Sequence, residues 1–172
     1  MLKLTGCVIL FFASIGFAYC IRIEMKNHLI LLYEVKKMLS DIFCEELYSM
    51  QPMENILVYE NNTGDDRLNE ICHEIGTGLL QKESGTGEEV WRRIFSEKRK
   101  ELALKEEEAE IIEQAGSAFF GKSMEENQKV LALYLERLNF LIETERKERK
   151  EKQKVYQTVS IMCGLILIIL LI

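Results

Sequence analysis

A chain of 172 residues with 22 Lys and Arg against 28 Asp and Glu has room for one domain, and its charge is wrong for a nucleic-acid binder. Five cysteines without framework spacing exclude a disulfide scaffold and fit reduced thiols. A single proline and scarce β-branched alternation exclude a β-rich fold.

The first predicted element is a membrane-spanning helix within residues 1–21. Leu4 to Ile21 is an uncharged run of 18 residues. It would be ~27 Å long as a helix, against a bilayer core of ~30 Å. Tyr19 stands where an interfacial ring belongs. A cleaved signal peptide after Lys3 is the alternative. However, Tyr19 is bulky where processing needs a small residue, and it equally weakens a lipoprotein reading of Cys20.

Residues 22–154 form the predicted soluble domain. Leu29, Leu32, Val35, Leu39, Ile42 and Phe43 recur at helical spacing. Pro52 ends that helix and suits the first turn of a short next one. Ile56 to Tyr59 is the only strand-like run. Asn61 to Asp66, "NNTGDD", is a turn; Asn61 and Thr63 match a glycosylation acceptor that a cytoplasmic location leaves unused.

Leu68, Ile71, Cys72, Ile75 and Leu79 predict the next helix. Cys72 belongs to its core and His73 to its surface. A zinc site wants about four ligands in paired spacing, and His28 is the only other histidine, so no metal is expected. After the turn "SGTGEE", Thr86 and Glu89 read as a capping box. Val90, Trp91, Ile94 and Phe95 follow on one face, with Trp91 as packing. Glu106 to Glu110 is a charge run at a helix start, where carboxylates favour the macrodipole. Ile111, Ile112, Ala115 and Phe119 are the apolar face of that helix.

Gly116 to Ser123, "GSAFFGKS", fits the phosphate-loop pattern G-x-x-x-x-G-K-[ST]. A working loop follows a strand and converges its amides on phosphate. Here the preceding "KEEEAEIIEQA" is helix-periodic, no strand ending in Asp follows, and Ser123 with Glu126 reads as another capping box. The segment is therefore expected to be a turn, with Gly116 or Gly121 ending the helix before it. A nucleotide-binding enzyme built on it is the alternative function. No catalytic, cofactor-binding or metal-ligating residue is expected, and no cofactor.

Leu131, Leu135, Leu138 and Leu141, with Tyr134 and Ile142, predict the last helix. No Gly or Pro occurs from Phe17 to Gln51 or from Lys122 to Cys163, so both terminal helices can run on unbroken. Glu143–Lys147, Glu145–Arg149 and Glu148–Lys152 are favourable i,i+4 pairs worth ~0.2–0.5 kcal/mol each. Residues 155–172 are a second uncharged apolar segment, with Tyr156 at its inner end, predicted to span the membrane. Arg22 and Lys26, with Arg146, Lys147, Arg149, Lys150, Lys152 and Lys154, flank the two spans on the domain side. That distribution predicts a cytoplasmic domain. The fold class expected is all-α: a bundle of five or six cytoplasmic helices between an N-terminal and a C-terminal transmembrane helix.

The opening "MLKLTGCVILFFASIGFAYCIRIE" and the closing "KVYQTVSIMCGLILIILLI" resemble the two ends of the stage III sporulation protein AB family. So do "EELYSMQPM", "EEVWRRIF", "LALKEEEAEIIEQAG" and "LALYLERLNFLIETERKERKEKQK", in the same order over nearly the whole length. The chain departs from the family in lacking a proline in "RIEMKNHL" and in placing Gly116 and Gly121 one residue further apart. The resemblance implies a helical domain similar to those of type II secretion system F proteins. It implies membership of the channel complex between mother cell and forespore in endospore formation, in the mother-cell membrane facing the forespore. The partners implied are a secretion-type ATPase, other stage III channel proteins and membrane lipid, with further copies of the chain possible and no nucleic acid. By fold analogy the role is a non-catalytic platform on which the ATPase sits. A generic two-span membrane tether is the remaining alternative.

Overall fold

The computed structural model describes residues 2–49, 51–60, 63–81, 85–121 and 123–171, with side chains at most positions between 26 and 156. Helix α1 covers Leu2–Ser49 and α2 covers Met53–Asn55, continuing as a π-helical turn over Ile56–Glu60. Helices α3 (Asp66–Leu80), α4 (Gly87–Lys98) and α5 (Glu106–Ala115) follow, then a 3₁₀ turn at Gly116–Ala118 and α6 (Met124–Leu171). Among the described residues there are six α-helices and no strand, so the chain is all-α as its periodicity implies. The strand-like run Ile56 to Tyr59 is helical instead. Ile56 and Leu57 are buried, and Val58 would touch a side chain at Gly76 of α3, so that helix and the π-turn pack without an intervening Cβ.

The chain divides into two units, residues 31–142 and residues 1–30 with 143–172. The first unit holds the helical core. Leu32, Val35, Leu39 and Ile42 of α1 are fully buried, as are Leu68, Ile71, Cys72 and Ile75 of α3. Trp91, Ile94 and Phe95 of α4, Ile112 and Ala115 of α5, and Leu138 and Ile142 of α6 complete it. Burying such side chains stabilises by ~1.5–3 kcal/mol each relative to exposure, before the entropy cost of ordering them. Met38, Met53, Leu102 and Leu104 also lie in the core.

Helix ends explain the breaks between elements. Asp65 caps α3, its Oδ1 accepting the Arg67 N–H at 3.0 Å. At α4 the capping box forms in both directions: the Thr86 N–H donates to Glu89 Oε2 at 2.8 Å, and the Glu89 N–H donates to Thr86 Oγ1 at 3.3 Å. Ser123 Oγ accepts the Glu126 N–H at 3.3 Å at the start of α6.

Helical hydrogen bonding runs past Lys98, with the Leu102 N–H on the Lys98 carbonyl, and closes in a Schellman motif. There the Leu104 N–H donates to the Arg99 carbonyl and the Ala103 N–H to the Lys100 carbonyl, both at 3.2 Å. Ala103 takes the left-handed position with φ 52°.

Helices α1 and α6, whose residues belong to both units, are each 48 residues long. At ~1.5 Å per residue each is about 72 Å in length. On α6, Lys152 pairs with Glu148 at 3.0 Å as its spacing predicts, whereas Glu143 pairs with Arg146 at 3.4 Å rather than with Lys147. Among the described residues no helix is long and apolar enough to cross a membrane. The side chains of the two apolar segments, 4–21 and 155–172, lie largely outside those residues.

Candidate functional site

The motif "GSAFFGKS" is a packing junction. Helix α5, and no strand, leads into it. Two of the amides that a phosphate loop would offer are turned inward instead: the Phe119 and Phe120 N–H groups both donate to the Gly116 carbonyl, at 3.0 and 3.3 Å. Phe119 is buried, with its ring 5.3 Å from that of Trp91, which in turn stacks 4.8 Å from Phe95. The Trp91 indole N–H donates to the Ile112 carbonyl at 2.9 Å, so the one polar atom of this aromatic cluster is satisfied. A Cβ on Gly121 would collide with the side chain of buried Asn127. Lys122 lies outside the described residues.

Gly116 does not end α5 as a left-handed cap. Its φ is −54°, an ordinary helical value. It is glycine for space: a Cβ there would lie 2.5 Å from Trp91 Cδ1. The extra backbone closeness lets α5 and the indole meet.

Other predicted positions fall where their chemistry suggests. Cys72 is fully buried with its thiol 3.3 Å from Met38 Sδ, and His73 is exposed. In the turn before α3, the Asn69 amide clamps Thr63 from both sides. It accepts the Thr63 N–H at 2.7 Å and donates to the Thr63 carbonyl at 3.1 Å. The Gly64 N–H donates to Glu34 Oε2 at 2.9 Å, tying this turn to α1. Asn61, the would-be glycosylation acceptor, lies outside the described residues. Glu108, in the acidic run, is buried and accepts the Lys105 N–H at 2.8 Å, serving the start of α5.

The carboxyls of Asp65 and Glu46 are perturbed in opposite directions. Hydrogen bonding to the Arg67 guanidinium holds Asp65 below the ordinary carboxylate range, with Nη2 2.6 Å from Oδ2. Burial raises Glu46, whose Oε2 has no hydrogen-bond partner.

An open groove of about 490 Å³ runs between α5 and α6. Ile111 and Leu141 contribute apolar walls, and Leu133 and Phe140 stand at its lip, 47% and 71% exposed. Glu107, Glu110 and Glu136 border it, with Arg137 as the basic neighbour. The predicted stripe Leu131, Leu135, Leu138 and Leu141, with Tyr134 and Ile142, does not include these two; of it, Leu131, Leu138, Leu141 and Ile142 are buried, whereas Leu135 and Tyr134 are only half-buried. The signal was present: Leu133 and Phe140 are seven residues apart, so they share a face with each other.

A bundle of short helices between two long ones, in which the described residues of the phosphate-loop-like motif form a packed turn fed by a helix, defines a helical-bundle protein. Its affinities narrow that class. The family model of stage III sporulation protein AB matches residues 3–172, and the chain belongs to that family. Neither a curated relative nor a solved structure matches it. Membership supports a role in sporulation.

Proposed function

We propose that this chain is a non-catalytic membrane platform of the mother cell-to-forespore channel complex, and that it docks a secretion-type ATPase. The observation that carries this reading is the continuity of α1 and α6. Each runs 48 residues without a break, from an uncharged apolar segment into the helical bundle. A chain built this way enters and leaves the bilayer on stiff rods, within segments 1–21 and 155–172, and presents residues 22–154 to the cytoplasm. The basic residues 146–154 support that orientation, because Lys and Arg next to a span remain on the cytoplasmic side. Family membership places the biology in spore formation.

The test uses the full chain in nanodiscs and the ATPase expressed with it. Saturable binding is expected; in intact cells a membrane-permeant thiol reagent is expected to label exposed Cys44 and an impermeant one to leave it unlabelled, while buried Cys72 stays unlabelled in the folded chain. Absence of binding, or labelling of Cys44 only from the outer side, sinks the proposal.

A further inference from the structure

We propose that the groove between α5 and α6 is the surface that receives the ATPase, and that its occupant is an amphipathic helix with an apolar stripe flanked by Lys and Arg. This rests on the docking reading above and adds where the contact lies and what chemistry makes it.

Leu133 and Phe140 sit seven residues apart on α6, so they stand about 10 Å apart along one helix face, near a two-turn repeat. A large aromatic that is 71% exposed beside a second exposed aliphatic is costly on a solvated helix, and it is the composition of an interface anchor. The border decides the partner. Glu107, Glu110 and Glu136 against Arg137 leave it net acidic.

An anionic lipid surface is repelled by that border. A second copy fits poorly as well: its basic helical stretch, residues 143–154, contains no apolar residue to cover Leu133 and Phe140. A basic amphipathic helix satisfies both features, filling the groove with aliphatic side chains while its cations meet the three carboxylates.

The experiment measures the dissociation constant of the ATPase for the full chain in zwitterionic nanodiscs. Phe140→Ser and Leu133→Ser are each expected to weaken binding at least tenfold. Both sites are exposed, so an unchanged unfolding midpoint confirms an intact bundle. Exposed Tyr59→Ser serves as the neutral control.

Reversing the border with Glu107→Lys, Glu110→Lys and Glu136→Lys is expected to abolish the weakening of wild-type binding by added salt, or to invert it. Wild-type binding that survives all these changes overturns the groove while leaving the docking reading intact. No wild-type binding at all overturns both. A wild-type dimer that becomes monomeric with Phe140→Ser overturns the assignment by making the occupant a second copy.

Discussion

Gly116 and Trp91 occupy one space: a Cβ on the glycine would come within 2.5 Å of the indole Cδ1, while the indole N–H donates to the Ile112 carbonyl on the same helix. The tryptophan is therefore pinned and cannot swing aside. Gly116→Ala must displace either the ring or the backbone of the turn. Overpacking of this kind costs ~1–3 kcal/mol. A drop of that size in unfolding free energy by urea titration is the expected result. If the motif were instead a nucleotide loop, the same change would leave stability nearly untouched.

The end of α4 carries strain that can be relieved. Ala103 holds φ 52° because the Schellman bonds of Leu104 and Ala103 to Arg99 and Lys100 require a left-handed residue there. A side chain in that region costs ~1–2 kcal/mol, which glycine avoids. Glycine also gives back part of the gain through the greater entropy of its unfolded chain. Ala103→Gly is expected to stabilise by about 0.5–1 kcal/mol, raising the urea midpoint with an unchanged m-value. Ala103→Val is expected to lower it.

How far the sequence foretold this structure follows from the kind of signal at each place. Period-3.6 stripes in α1, α3, α4 and α5 located buried residues such as Leu32, Ile75, Trp91 and Ile112, because burial repeats with the helix. The capping box at Thr86 and the side-chain cap at Ser123 were readable because their geometry needs particular residues three apart; at Ser123 only the hydroxyl half of the expected box is formed among the bonds described. Ile56 to Tyr59 was not readable as helix: a four-residue apolar run looks alike in strand and helix, and only packing against α3 at Gly76 settles it. The left-handed turn at Ala103 lacked the glycine that usually announces one. The groove was half legible, since a seven-residue spacing marks a shared face but not whether that face is covered.

The pair Asp65 and Arg67 makes part of the stability depend on acid. The guanidinium depresses the folded-state titration of Asp65 below that of a free aspartate, ~3.9. Such a group contributes stability above its unfolded titration point and loses it as pH falls through the depressed folded one. Arg67 is 43% exposed, so screening limits the pair to at most ~1 kcal/mol. Asp65→Asn retains a good helix cap while removing the charge. The wild type is expected to exceed this variant in stability at pH 6, with the difference vanishing by about pH 2. Parallel curves for the two chains across that range would refute the assignment.

A rod can transmit orientation only while it is unbroken, and α6 offers a place to test this without touching the core. Residues 143–154 are solvated, held by the Glu148–Lys152 and Glu143–Arg146 pairs, and contain none of the core side chains. Proline at position 150 would delete the helical N–H to the residue 146 carbonyl and clash with it, costing ~3 kcal/mol locally and kinking the helix. Lys150→Pro is thus expected to leave the bundle's unfolding midpoint unchanged, because that unit ends at residue 142. The groove between α5 and α6 is also untouched, so on the docking proposal binding of the ATPase in nanodiscs is expected to persist. Spore formation is nonetheless expected to fall sharply if the platform works by coupling the docked enzyme stiffly to the membrane. Full sporulation of the Lys150→Pro strain would mean that a flexible tether suffices, and that the length and continuity of α6 serve attachment alone.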